Sequence, residues 1–223
     1  MNFYHLGGSQ TGVTLAAEGV RRHMRRMAKP DTKSWTAMTD SPLSGQLLIA
    51  MPHMQDASFA GSLICLCAHS PEGAMGLILN QPIPTLSFEM LLRQVGVEPL
   101  PPQRSIRLLH GGPVEEGRGF VLHSTDWTAE ATIPVEGGYG LTASVDILKA
   151  IAAGGGPRQG VLALGYASWS AGQLDAEIAR NDWLSVQPDE DLMFGGADET
   201  RWRRALAKLK VDPLLISRDA GHA

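Results

Sequence analysis

The stretch from Gly45 to Pro82 constrains the fold of this chain more than any other. It holds three apolar runs, GQLLIAMP, SLICLCAHS and AMGLILNQP, separated by breakers. Each run is short and ends at a proline or a turn, which favours strands over helices. Side chains on a strand alternate between faces. On the middle strand, alternation puts Leu63, Cys65, Cys67 and His69 on one face and Ile64, Leu66 and Ala68 on the other. Both faces are apolar, so the strand is expected to be buried on both sides. A thiol and an imidazole then share a face near its end. The short turn Pro71-Glu72-Gly73 makes the next strand, Gly76–Asn80, an antiparallel neighbour.

The rest of the chain alternates helical and extended patterns. Ser87–Val95 reads as a helix with Ser87 as N-cap and Gly96 as C-cap. A loop with three prolines follows. Ile106–Leu109 and Gly119–His123 read as a hairpin around His110-Gly111-Gly112-Pro113, and Ala131–Val135 as a further strand. Thr142–Ala153 is predicted helical, capped by Ser144 and stopped by Gly154-Gly155-Gly156-Pro157. Val161–Tyr166 is a strand, Ser170–Arg180 an amphipathic helix, Trp183–Val186 a short strand and Thr200–Lys210 the last helix. The expected fold is a single α+β domain over residues 40–223, a mixed, largely antiparallel sheet flanked by helices.

Charge separates that domain from what precedes it. Residues 1–39 hold six basic and two acidic groups. That leaves thirteen basic and twenty-one acidic groups for residues 40–223, a net charge of −8. Residues 1–39 show no core pattern, and VRRHMRRMAK is rich in arginine. They read as a disordered or mis-started N-terminal extension, with Met24, Met27 or Met38 as alternative starts, or else as a targeting or nucleic-acid-binding arm. Deleting residues 1–38 is expected to leave the fold intact. An acidic domain repels phosphate backbones, which argues against direct nucleic-acid binding by residues 40–223. No apolar run approaches the ~18 residues of a membrane span, so no membrane partner is expected. Cys65 and Cys67 on a strand would lie roughly 6.5 Å apart, at the upper limit for a disulfide. Reduced thiols and a cytoplasmic location are the simpler reading.

Candidate chemistry centres on Cys67 with His69. A thiolate is the nucleophile, and an adjacent imidazolium lowers a thiol pKa. Against this stands the tendency of free cysteines to be small buried hydrophobes. Candidate ligand-binding residues are Asn80, His110, Gly111, Gly112, Tyr166, Trp169 and Gln173, all at strand ends or strand-to-helix junctions. Gly111-Gly112 could form a backbone nest or simply a tight turn. Ser170 and Gln173 fit a capping box as readily as a site. No metal and no cofactor is expected: same-face strand neighbours do not converge on a zinc ion, and neither a P-loop nor a G-x-G-x-x-G follows a strand.

Several segments are familiar together. LLIAMP, C-x-H followed by GAMGLILNQP, HGGPVEEGRGFVLHS, LTASVDIL, LGYASWSAGQLDAEIARNDWL, DLMF followed by RW, and the terminal AGHA resemble the AlgH/YqgE family over about residues 43–223. The resemblance implies a bacterial α+β protein. The family's members carry the label of transcriptional regulators, without a settled molecular activity. Its pattern matches Cys67 and His69 but carries no cysteine at the position of Cys65, which counts against a dithiol. The expectation is a non-enzymatic regulatory or accessory protein acting through a protein partner or a small ligand. The alternative is a small enzyme or redox-responsive protein using Cys67 and His69.

Overall fold

The computed structural model describes Ser41 and residues 43–211; the N-terminal extension lies outside them. In chain order the elements are β1 (Leu47–Ala50), β2 (Leu63–Ser70), β3 (Gly73–Ile78), α1 (Phe88–Val95), β4 (Arg107–His110), β5 (Val114–Ser124), β6 (Thr132–Val135) and β7 (Tyr139–Thr142). They continue with α2 (Val145–Ala152), β8 (Gly160–Ser170), α3 (Gln173–Ala179), β9 (Trp183–Val186), α4 (Glu190–Met193) and α5 (Asp198–Lys208). The strands form one curled nine-stranded sheet in the order β6-β7-β5-β8-β3-β2-β1-β9, with β4 set against β8. All pairings are antiparallel except β4 with β8. This is the expected α+β architecture.

β8 is the hub. Leu162 in its first half faces Val121 of β5 on one side and Leu108 of β4 on the other. Its second half pairs with β3, with Trp169 opposite Ala74. The expected hairpin of β4 with β5 is therefore corrected: β8 runs between them. Gly111, Gly112 and Gly165 make this possible. A Cβ on Gly112 would lie 2.2 Å from the Tyr166 carbonyl carbon, and one on Gly165 would lie 2.3 Å from the Gly112 oxygen. Gly165 also sits at φ +75°, where L side chains are strained. Only backbone fits where these two segments cross.

The core has an inner and an outer layer. Leu47 and Ile49 of β1 and Val161 and Ala163 of β8 point inward, to a cluster that includes Leu192 and Met193 of α4 and Ala205 and Leu206 of α5. Their neighbours point outward. Leu162 and Leu164 meet α1 and α2 through Leu91, Leu92, Ile147 and Ile151, while Leu48 and Ala50 share a cluster with Leu174 of α3. Both faces of the central strands are thus covered, which explains their continuous apolar sequence. Burying each such Leu or Ile contributes about 1.5–3 kcal/mol. α5 is also tied to β1 by Trp202, whose indole N–H donates to the Ala50 carbonyl at 2.9 Å.

Helix ends follow local chemistry. The Ser87 hydroxyl accepts from Met90 N, and Gly96 closes α1 at φ +69°. Residues 170–172 remain outside α3, because Ser170 still pairs with Gly73 and Gly172 turns the chain at φ +68°. β7 and the one-turn helix α4 were not expected from the sequence; each is four residues long. Among the described residues no helix is long and apolar enough to cross a membrane.

Candidate functional site

The pair Cys67–His69 is separated by a β-bulge. β2 and β3 pair as Cys65 with Leu77 and Leu66 with Gly76, then resume as Ala68 with Met75 and His69 with Ala74. Cys67 is the extra residue, and a bulge resets the alternation of side chains. Cys65, Cys67 and Ala68 belong to the inner cluster, whereas Ala74, the partner of His69, belongs to the outer one beneath α3. The expectation that Cys67 and His69 share a face is corrected accordingly. The Cys67 thiol is 2 % exposed and donates to the Cys65 carbonyl at 3.6 Å. Contact with Cys65 and burial push it well above the ordinary thiol pKa. This environment keeps the thiol protonated, the reverse of what nucleophilic catalysis needs.

His69 instead joins three segments. Its Nδ1 lies 2.6 Å from Ser41 Oγ, and its Nε2 3.5 Å from an Asp175 carboxylate oxygen on α3. Beside it, α3 is fastened by a second network. Glu177 Oε2 accepts both indole N–H groups of Trp169 and Trp183, each at 2.8 Å, and Oε1 accepts from Gln173 Nε2 at 2.9 Å. The Gln173 carbonyl oxygen takes the Ser170 N–H and hydroxyl, both at 3.0 Å. Phe59 stacks on Trp169 and meets Trp183 edge-on, at centroid distances of 6.2 and 5.8 Å. Trp169 and Gln173 thus spend their polar groups on holding the helix.

Asn80 and Gly111 are also held by hydrogen bonds. Asn80 accepts from Leu63 N at 2.8 Å and donates to Gly61 O at 2.9 Å, tying the end of β3 to the start of β2. The Gly111 N–H donates to Leu164 O at 2.7 Å, and its carbonyl accepts from Ile78 N at 2.9 Å. Its N–H and carbonyl are thus spent inside the sheet. Tyr166 meets Phe120 edge-on at 5.8 Å, and burial followed by the Glu115 charge raises its phenol pKa. His110 is exposed at the end of β4. Among the described residues no group of three His, Cys, Asp or Glu could hold a metal ion.

A cleft of about 640 Å³ lies elsewhere, and none of its residues is a candidate site residue in the sequence. One wall is Arg104 and Arg107 beside Arg158 and Gln159; the other is Glu190 and Asp191 with Phe194 and Gly195. The parallel pairing of β4 with β8 creates the first wall, since it places Arg107 opposite Val161. Arg104 donates to the carbonyls of Gly155, Pro157 and Arg158. Arg107 donates to Asp198 Oδ1 at 2.7 Å, and the fully buried Arg201 lies 2.9 Å from the same oxygen. Arg204 binds Asp191 at 2.7 Å, and Gln159 donates to Glu190 across the cleft. Burial, then the Arg107 charge, bring the Arg201 pKa down to about 10, with Arg204 adding to the shift and Asp198 opposing it. Pairs of arginines some 50 residues apart leave no short-range sequence signal.

Comparison with known proteins agrees with this architecture. A profile of the AlgH-like family (DUF179) matches residues 47–214. A UPF0301 protein of Rhodopseudomonas palustris is 52% identical over 189 residues, covering 81% of this chain and 87% of that protein. A UPF0301 protein of Cereibacter sphaeroides is 50% identical over 182 residues, covering 81% and 99%. The solution structure of AlgH from Pseudomonas aeruginosa superposes with a TM-score of 0.65 at 39% identity, over 87% of this chain and all of that one. A crystal structure from Corynebacterium diphtheriae, 21% identical with a TM-score of 0.60, shares the fold.

Proposed function

Since this chain belongs to the AlgH-like family, we propose that it is a non-enzymatic regulatory or accessory protein that acts by binding in the cleft between Arg104 and Asp191. The observation that carries this reading is the cleft itself. At about 640 Å³ it falls within the ~300–1,000 Å³ of small-ligand sites, and its walls converge several charged and amide groups. The thiol alternative is weakened by the burial and raised pKa of Cys67. Direct recognition of nucleic acid is disfavoured by the −8 charge of residues 40–223.

Two measurements on the full chain test the proposal. A metabolite library screened by amide chemical shifts should give saturable changes at residues 104–107, 158–160 and 190–195. Native alkylation of Cys67 in a Cys65→Ser background should run far slower than that of a free thiol. Ligand shifts confined to another region, or alkylation at the rate of a free thiol or faster, would overturn it.

A further inference from the structure

We infer that the cleft between β4, β8 and α4 accepts a small anion, of the phosphate or carboxylate class, that also carries a hydrogen-bond donor. This rests on the binding-cleft reading and specifies its ligand. The argument starts from charge. The Asp198 carboxylate lies between two guanidiniums, at 2.7 Å from Arg107 and 2.9 Å from Arg201, and can neutralise only one of them. Arg104 is held by three carbonyl oxygens and, among the described residues, by no carboxylate. Arg204 and Asp191 cancel at 2.7 Å, and Arg158 has Asp126 at 3.5 Å. Among the described residues two positive charges therefore lack a carboxylate of their own, and Glu190 is left to oppose them on the lining, Asp191 being taken up by Arg204. In a domain whose overall charge is −8, this is a local reversal of sign.

Unspent hydrogen-bonding capacity collects at the same place. Six buried side-chain polar atoms lack a partner among the described residues. Three of them, Gln159 Oε1, Arg201 Nε and Arg204 Nε, belong to a lining residue or to arginines bound to the Gly195 carbonyl that lines the cleft. Buried polar atoms in folded proteins are nearly always paired, so the unpaired Gln159 Oε1, an acceptor on the lining, is a place for the ligand's hydrogen-bond donor. Arg158, with a side chain 82 % exposed, can swing over a ligand at little cost. Guanidiniums bind phosphate and carboxylate through paired N–H groups. Glu190, on the facing wall, supplies an acceptor for a hydroxyl or amine of the same ligand. The volume suits a metabolite and is too small for a duplex.

The test titrates the full chain with glycerol phosphate, succinate and glycerol, following amide shifts and calorimetry. Glycerol phosphate and succinate should both shift the amides of residues 104–107 and 158–160, and the stronger of the two identifies the anion class. Glycerol alone should not. Binding should weaken at high salt, because these are partly exposed charges. Arg158→Glu should weaken the anion about tenfold or more, equivalent to ~1.4 kcal/mol. Arg180→Glu, the same charge change at the end of α3, should leave it unchanged. If glycerol shifts the cleft amides as strongly as the anions, or if Arg158→Glu binds them undiminished, the anion inference is wrong while the binding-cleft reading stands. If no probe moves the cleft amides and the library screen finds ligands only elsewhere, both fall.

Discussion

Replacing Glu177 by alanine removes the acceptor of two buried indoles. Trp169 is 4 % exposed and Trp183 2 %, and their N–H groups meet one carboxylate oxygen at 2.8 Å each. A hydrogen bond to a charged group contributes about 1.5–3 kcal/mol, and a buried donor left without a partner costs about 1–3 kcal/mol. Glu177 is itself half-buried, so water can reach part of the gap. The low end of the range therefore applies to each indole, giving a loss of about 3 kcal/mol in total. The better helix propensity of alanine offsets only a few tenths of this. For a domain of this size 1 kcal/mol moves the Tm by about 2–4 °C, so the expected fall is about 6–12 °C. Glu177→Gln keeps one oxygen for the indoles but turns an amide toward Gln173 Nε2, and should cost about half as much. Thermal unfolding followed by far-UV dichroism and tryptophan fluorescence reads both variants. A fall of less than ~2 °C for Glu177→Ala would refute the view that this carboxylate fastens α3.

Two further outcomes follow from buried geometry. His123 is fully buried; its Nδ1–H donates to Ser124 O at 2.9 Å, which leaves Nε2 to accept from the Thr142 hydroxyl at 2.9 Å. Burial lowers its pKa below the ordinary 6.5, so the folded state binds the proton less readily than the unfolded one. The associated stability is present above pH 6.5 and is lost as pH falls toward the lowered folded value. Urea unfolding across that window should show a falling stability that is flatter in His123→Gln, and a wild-type stability that rises on acidification would contradict it. Gly112→Ala should abolish the fold or cost well over ~3 kcal/mol, since its Cβ would lie 2.2 Å from Tyr166 backbone at φ +149°; a variant with an unchanged Tm would show that the two segments do not cross as closely as described.

Much of the fold was legible because it rests on local chemistry. The Ser87 and Gly96 caps mark α1, and the Pro71-Glu72-Gly73 turn marks the β2–β3 hairpin. β9 spans Trp183–Val186, as its sequence pattern predicts. The candidate site was far less legible. Asn80, Gly111, Trp169 and Gln173 stand out in the sequence by their place at strand ends or a strand-to-helix junction. Such positions suit a ligand and a structural tie equally well, and here they serve as ties.

What the sequence determined by itself was which segments extend, which coil and which faces are apolar, since caps, turns and periodicity act over a few residues. Tertiary structure decided three things that no local pattern carries. The bulge at Cys67 reverses the direction of His69, and because β2 is apolar on both faces the alternation that would betray it is invisible in the sequence. β8 runs between β4 and β5, a choice made by backbone contact at Gly112 and Gly165. That same pairing brings Arg104 and Arg107 to Arg158 and sets all three against α4. A charged cleft built from segments some 30 to 90 residues apart depends on chain closure over long loops, so it exists only once the sheet has curled.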